Sequence, residues 1–305
     1  MTITQLEYVI AVAKHGSFTK ASEKCNVTQP TLSMQVQNLE EELNIKIFIR
    51  GTKPIQLTEV GKKITKQGQI IVDEAIKMKD IVLYEKNYVG GEFRLGIIPT
   101  ISSIIPLFIN KFIKKYPNVK LKIEELNSIA LIKKVISGDI DGGITSTPLN
   151  IKEINEIPIY YEPFVAYVPD KNNLFKIKKL KVEDLEYSSI LMLEEKNSFT
   201  KQVYKLFKSF NKTMNLKTKS FETLIQLSDQ GFGIIIIPFL YTKNFSKERL
   251  NNIKTFEEPE PGREISLIYS KNKIKSPIIN ALANCLEKTS RENIKSNKIN
   301  IISPV

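Results

Sequence analysis

The sequence predicts a two-part chain: a small all-α module carrying a β-hairpin, joined through one long helix to a C-terminal α/β domain of two lobes. Three observations predict it. Between residues 1 and 58, three short segments with helical apolar spacing precede a pair of short extended runs. One amphipathic segment of about 30 residues then runs without a break. Beyond Gly90-Gly91, strand-like and helix-like segments alternate, which argues for sheets with crossover connections.

The first helix spans Thr2 to Lys14, with Ile3, Leu6, Val9, Ile10 and Ala13 at helical spacing, and His15-Gly16 ends it. Ser17 caps a second helix whose buried side carries Phe18, Ala21 and Cys25. After the Asn26-Val27 turn, Thr28 caps a third helix with Pro30 in its first turn. That helix runs to Leu43 on a stripe of Leu32, Val36, Leu39 and Leu43, while Gln29, Thr31, Ser33, Met34, Gln35 and Asn38 cover the rest. Two short helices, a tight turn and a helix faced with amides and hydroxyls read as a helix-turn-helix. The runs Lys46–Ile49 and Ile55–Leu57, separated by Arg50-Gly51-Thr52-Lys53-Pro54, make a hairpin with a basic tip, the wing of a winged helix. The long helix from Thr58 to Tyr88 repeats Val60, Ile64, Ile71, Ala75, Met78 and Val82. A three-helix module cannot cover such a stripe, so a partner helix is implied.

After the hinge, strands are expected at Phe93–Ile98, Val119–Glu124, Gly142–Thr145, Tyr160–Val168, Ser189–Leu193, Ile234–Ile237 and Glu264–Tyr269. Helices are expected at Ile104–Lys115, Ala130–Ser137, Ser198–Phe210, Phe221–Gln230 and Ile278–Glu287. The boundaries are therefore residues 1–58 for the winged module, 59–91 for the linker helix and hinge, and 92–289 for the two-lobed domain. Residues 290–305 form a polar, Lys/Asn-rich tail expected to be loosely held.

Composition removes several function classes. Hydrophobic residues make up 42% of the chain, and the mean hydropathy of −0.16 suits a soluble globular protein. There is no run of ~18 uncharged apolar residues for a membrane-spanning helix. The N-terminal stretch has Glu7 and no basic lead, a poor signal peptide. A cytoplasmic protein without a membrane partner is expected. With His15 the single histidine, multi-His zinc sites and most His-based triads lack raw material. Cys25 and Cys285 are far apart without a CxxC, and there is no GxGxxG, GxxxxGK(S/T) or HExxH. No catalytic site, metal or cofactor is expected.

The formal charge is +12, but its distribution matters more than its total. Residues 1–88 hold 12 basic and 10 acidic side chains, residues 89–270 hold 26 and 21, and residues 271–305 hold 7 and 2. Within the first segment, Lys46, Arg50, Lys53, Lys62, Lys63 and Lys66 face a single acid, Glu59. Such a local basic strip points to a phosphate-contacting edge. The Glu40–Glu42 run beside it reads as a solvated helix end.

The stretch FTKASEKCNVTQPTLSMQVQNLEEELNIKIFIRGTKPIQLTEVGKKI, with its V-T-Q-P-x-L-S core, resembles the signature of LysR-type transcriptional regulators. The likeness extends over nearly the whole chain. It implies a C-terminal effector domain similar to periplasmic binding proteins. The second half looks most like the OxyR branch of peroxide-responsive activators, through LGIIPT, LMLEEKNSFTKQ, GFGIIIIP and PEPGREISLIY. By that resemblance the loop after LMLE carries a peroxide-reacting cysteine, and Ser198 stands there instead. The second, disulfide-forming cysteine falls at Phe207; Asn197 replaces a common His and Lys201 an acid, whereas Gln202, Thr100 and Arg263 fit. A serine hydroxyl has no accessible sulfenic state, so this loop cannot run peroxide–thiol chemistry.

The resemblance implies double-stranded DNA as partner, with Pro30 and Ser33 the most transferable contacts. From their chemistry, Gln29, Thr31, Ser33 and Gln35 suit phosphates or base edges, and Arg50 and Lys53 suit phosphate or the minor groove. A plain solvated helix face is the bland reading of the same residues. Thr100, Ser102 and Ser103 open the helix after the first strand of the second domain, where hydroxyls and free N–H groups suit an anion or polar ligand, or simply cap it. By resemblance Ser128, Ser198, Thr200, Gln202 and Arg263 belong to the same cleft, which fits a small polar or anionic effector. A homodimer through the linker helices, a homotetramer through the effector lobes, and contact with RNA polymerase are likewise implied. Two rivals stand beside this reading. A thiol sensor needs sulfur at position 198, and an enzyme or solute carrier on the two-lobed fold lacks a His, Cys or paired-carboxylate site.

Overall fold

The computed structural model describes residues 1–49, 51–85, 88–186, 188–194, 198–207, 218–271, 277–294 and 298–305. Arg50 and Asn197 lie outside these residues. Two compact units emerge, the first formed by Met1–Asn87 and the second chiefly by Tyr88–Lys271 and Lys275–Val305.

In the first unit the caps expected at Ser17 and Thr28 are in place. Helix α1 (Ile3–His15) opens on a capping box between Thr2 and Gln5 and closes on Gly16, whose φ of 60° is left-handed. Ser17 caps α2 (Phe18–Lys24) and Thr28 caps α3 (Gln29–Glu42), with Pro30 in the first turn. Their shared core holds Leu6, Val9, Val12, Ala21, Leu32, Val36 and Leu39. The wing is shorter than expected, with β1 (Phe48–Ile49) antiparallel to β2 (Gln56–Leu57). Lys46 and Ile47, expected in the first strand, are held by α3 instead.

Helix α4 (Glu59–Glu85) starts where expected, and the two residues after Glu85 lie outside the described residues. Ile64 and Ile71 pack on the three-helix core, joined by Val72, which the sequence reading missed. Val60, Ile70, Ile76 and Met78 stay exposed. A Cβ at Gly61 would sit 2.1 Å from the carbonyl oxygen of Ile47, so only glycine lets the wing seat on this helix. Gly61→Ala is expected to cost roughly 1–3 kcal/mol through overpacking against backbone, read as a lowered first-unit transition in calorimetry of the full chain.

In the second unit β3 (Gly91–Ile97) begins inside the stretch expected to be a hinge, pairing Gly91 with Val119. It lies parallel to β4 (Val119–Glu125) on one side and to β5 (Gly142–Thr147) on the other. A 3-10 turn at Pro99–Ile104 precedes α5 (Ile105–Lys115), so Thr100, Ser102 and Ser103 lie in that turn rather than opening the α-helix. Helix α6 (Ser128–Ile136) is capped by Asn127. Two long strands, β6 (Ile154–Tyr167) and β11 (Glu260–Ser270), run antiparallel to each other, and β11 also pairs antiparallel with β5. The sequence reading found only the apolar half of each.

The second lobe is built on the far end of β6. There β9 (Ile234–Pro238) pairs antiparallel with it, and β8 (Ile190–Leu191) lies parallel to β9. Short strands β7 (Lys179–Leu180) and β10 (Ile253–Phe256), with helix α9 (Lys247–Asn251), were not anticipated. Helices α7 (Ser198–Leu206) and α8 (Phe221–Asp229) cover this lobe; the expected extension of α7 past Phe207 lies outside the described residues. Two hydrophobic cores result, one around Ile97, Phe108 and Leu267, the other around Phe164, Ile235 and Phe256.

The tail corrects an expectation. Helix α10 (Pro277–Asn293) continues past Ser290, which is itself buried, and β12 (Ile299–Ile301) pairs parallel with β11. The polar composition of the tail concealed a strand because β12 is held by backbone hydrogen bonds to β11, which polar side chains permit.

Candidate functional site

On the first unit, Gln29, Pro30 and Thr31 are exposed on the opening turn of α3, and Ser33 and Gln35 are half-buried. Thr31 shares a 2.8 Å hydrogen bond with the Thr28 hydroxyl. Gln35 accepts from the Gln5 amide at 3.2 Å, which ties it to α1. Lys53 is exposed at the wing tip. The wing is anchored by Glu40, whose side chain is 1% exposed. Its Oε1 accepts the Ile47 N–H at 2.7 Å and the Phe48 N–H at 3.2 Å, with the Lys46 ammonium 3.8 Å from Oε2. Glu40 is therefore not part of a solvated helix end; it fixes the start of the wing. Thr58 caps α4 and donates to the Lys46 carbonyl at 2.7 Å, and the Phe18 ring meets Phe48 edge-on.

The residues expected to share a cleft in the second unit are brought together in two groups. Arg263 is fully buried and stands opposite Glu162 in the β11–β6 register. Its Nε and one terminal nitrogen donate to Glu162 Oε2 at 3.0 and 2.8 Å, and it also donates to the Thr100 hydroxyl at 3.0 Å and the Thr100 carbonyl at 2.8 Å. Glu162 Oε1 accepts the Leu240 N–H at 2.8 Å from the 3-10 turn Phe239–Asn244. Phe199 of α7 lies against the guanidinium, 5.2 Å from ring centroid to Cζ. One buried ion pair thus joins two turns, two strands and α7. Sequence reasoning missed Glu162; the available signal was an acid inside an otherwise apolar strand run, which demands a cationic partner.

The second group is a hydroxyl pair: Ser128, opening α6 in the first lobe, donates to Ser198, opening α7 in the second, at 2.9 Å. Other expected members turn elsewhere. Ser102 donates to the Pro99 carbonyl at 2.8 Å. Thr200 donates to the Leu193 carbonyl at 3.3 Å and walls a void of about 10 Å³ among Leu191, Phe199, Val203 and Ile236, room for about one water. The Gln202 amide donates to Ile302 in the tail at 2.5 Å, and its Oε1 is buried without a hydrogen-bond partner. Phe207 is core.

Both thiols are unpaired. Burial raises the Cys25 thiol above its ordinary pKa, helped by Glu7, and burial likewise raises Cys285 against the opposing pull of Lys115. The reactive thiolate is thereby scarce at neutral pH. Among the described residues no cluster of His, Cys, Asp and Glu is arranged to hold a metal, and no helix is long and apolar enough to cross a membrane.

Burial shifts Tyr160, Tyr167 and Tyr269 upward. Burial, and then Glu162, push the Tyr160 hydroxyl well above 10, with Arg263 opposing. Burial and a hydrogen bond to Asp229 push Tyr167 up to about 12. Above about pH 10 the unfolded chain releases these protons before the folded one, so stability held at lower pH is lost as pH rises toward 12. Urea titrations at roughly pH 9 and pH 11 check this: the midpoint is expected to fall at the higher pH, and to fall less in Tyr167→Phe.

Residues 3–62 match the family description "Bacterial regulatory helix-turn-helix protein, lysR family", and residues 86–291 match "LysR substrate binding domain". The DNA-binding transcriptional dual regulator OxyR of Escherichia coli (strain K12) is 26% identical over 272 residues, covering 88% of this chain and 89% of that one. A full-length OxyR variant from Pseudomonas aeruginosa superposes with a TM-score of 0.77 at 27% identity, covering 94% of this chain and 98% of that one. Full-length BenM shares the fold, with a TM-score of 0.58 at 23% identity over 96% and 97% of the two chains. LysR regulators bind DNA, act as oligomers and are transcription regulators rather than enzymes. With the helix-turn-helix and the two-lobed substrate-binding domain matched in succession along one chain, this protein belongs to the LysR family of DNA-binding transcription regulators.

Proposed function

We propose that the opening of α3 and the wing form the DNA-contacting surface. Gln29, Pro30, Thr31 and Ser33 enter the major groove, Gln35 orients α3 through Gln5, and Lys53 with Arg50 engages phosphate or the minor groove. The observation that carries this reading is the exposed, hydroxyl-rich first turn of α3 in a module whose wing is pinned to the same helix by Glu40. The exposed Val60, Ile70, Ile76 and Met78 on α4 support pairing of linker helices into a homodimer, and the effector domains extend it to a homotetramer. The protein works in the cytoplasm, without catalytic activity, and its DNA-bound form contacts RNA polymerase.

The effector is a small polar or anionic molecule. Ser128 and Ser198 face each other across the two lobes, and Phe199 beside Ser198 touches the Arg263–Glu162–Thr100 hub. A ligand that separates those hydroxyls therefore acts on the element joining both lobes. Such a ligand shifts the oligomer only through different affinity for two lobe arrangements. In the OxyR-like alternative, favoured by the similarity to hydrogen peroxide-inducible activators, the chain is a peroxide-responsive activator whose thiol step at position 198 is lost or substituted.

Gel-shift titration of Ser33→Ala and Lys53→Ala tests the DNA surface. Ser33→Ala is expected to weaken binding and relax sequence preference, whereas Lys53→Ala weakens all duplexes alike and reduces the salt slope by about one. Unchanged binding in both variants refutes the assignment.

A further inference from the structure

Residues 298–305 cross from the sheet to α7. Gly262 pairs with Pro163 of β6 on one side and with Ile301 of β12 on the other, so β12 continues the β11 edge beyond the β5 pairing, which extends to Glu264. The Glu260 N–H donates to the Lys298 carbonyl at 2.9 Å and the Ile302 N–H to the Gly262 carbonyl at 2.8 Å. Any side chain at Gly262 would put a Cβ 2.7 Å from Ile299 Cγ2. Past the strand, Ile302 packs against the core of the second lobe and Pro304 is buried. From α7, the Gln202 amide donates to the Ile302 carbonyl at 2.5 Å, and the Lys205 ammonium to the Ser303 carbonyl at 3.1 Å and to the Val305 carbonyl.

Two further features make this more than a strand that fills an edge. The held helix starts at Ser198, bonded to the first lobe, and places Phe199 on Arg263, the residue next to Gly262 on the strand the tail pairs with. Tail, α7 and ion-pair hub are thus one mechanical unit. In addition, Gln202 is only half satisfied when the tail is docked, since its Oε1 is buried with no donor. Leaving that acceptor unmet lowers the net worth of the contact, so the strap is held less tightly than its hydrogen bonds alone suggest.

We propose that residues 298–305 are a built-in strap that fixes α7 against the second lobe, and that undocking the strap frees α7 to move relative to the first lobe. The strap is this chain's own peptide added to a sheet edge, so an excess of the same peptide competes for its groove. Its consequence for effector response rests on the regulatory reading above; the strap itself does not.

Hydrogen exchange on the full chain tests it. Ile302→Asp places a charge in the apolar anchor. The expected result is loss of protection in 298–305 together with exchange at least about tenfold faster in 198–206, while β8 and β9 are unchanged. A synthetic peptide of residues 298–305 added in trans restores the protection of α7. Lys205→Met, at an exposed position, is the second variant: the tail keeps its pairing with β11 while α7 exchange rises. Freed tail amides beside unaltered α7 protection in Ile302→Asp, or unaltered α7 exchange in a folded Lys205→Met, overturns the proposal.

Discussion

Arg263→Ala is expected to lower the stability of the second unit by roughly 3–5 kcal/mol, because removing one partner leaves a buried carboxylate uncompensated. Glu162 is 1% exposed. It keeps the Leu240 N–H on Oε1, but Oε2 loses both guanidinium bonds, and the Thr100 hydroxyl and carbonyl lose their donors. The chain has no tryptophan, so calorimetry or far-ultraviolet circular dichroism is the appropriate readout. The double variant Arg263→Met with Glu162→Leu is expected to recover much of the loss, since a well-packed apolar pair avoids the desolvation penalty altogether. The same double variant should lose coupling between α7 and the turn at Thr100. Stability and effector response would then separate, as expected of a hub that serves both.

Glu40→Ala has the second largest expected effect, roughly 2–3 kcal/mol in the first unit, from leaving the N–H groups of Ile47 and Phe48 without their charged acceptor. Glu40→Gln retains an acceptor oxygen and should lose less. Neither substitution touches the exposed turn of α3, so their effect on DNA runs through the wing. The expected signature is a weaker dependence of affinity on Lys53 in Glu40→Ala, measured as a reduced coupling in a double-mutant cycle. Equal, additive losses would place the wing away from the DNA.

The local grammar of the chain was legible, and the long-range polar contacts were not. Ser17 and Thr28 announce two helix starts because each needs only its own next turn to be satisfied, and Thr2 caps the first helix in the same way. The apolar strands and α7 follow from periodicity for the same reason. Glu40 looked solvated because it sits in a run of three acids, and nothing local reveals that Ile47 and Phe48 fold back onto it. Arg263 was flagged through resemblance, but its partner Glu162 stands 101 positions earlier in the chain, and only strand register places them opposite. The residues expected in one cleft separate for a related reason: Thr200 and Gln202 lie on faces of α7 that turn into the lobe and toward the tail. The composition of the tail reports average polarity, and neither the backbone pairing of Ile299–Ile301 with β11 nor the packing of Ile302 on the second-lobe core.

Under the proposed function, the first unit reads DNA as a paired module while the second sets the geometry of the pair. Selection of the full-length protein against a pool of randomised duplexes, followed by footprinting of the recovered sequence, tests it most directly. The expected result is a partly palindromic consensus with half-sites spaced by about one helical turn or a multiple of it, lost in Ser33→Ala. A pool that returns no consensus, with binding set by salt alone and indifferent to Ser33, would contradict it.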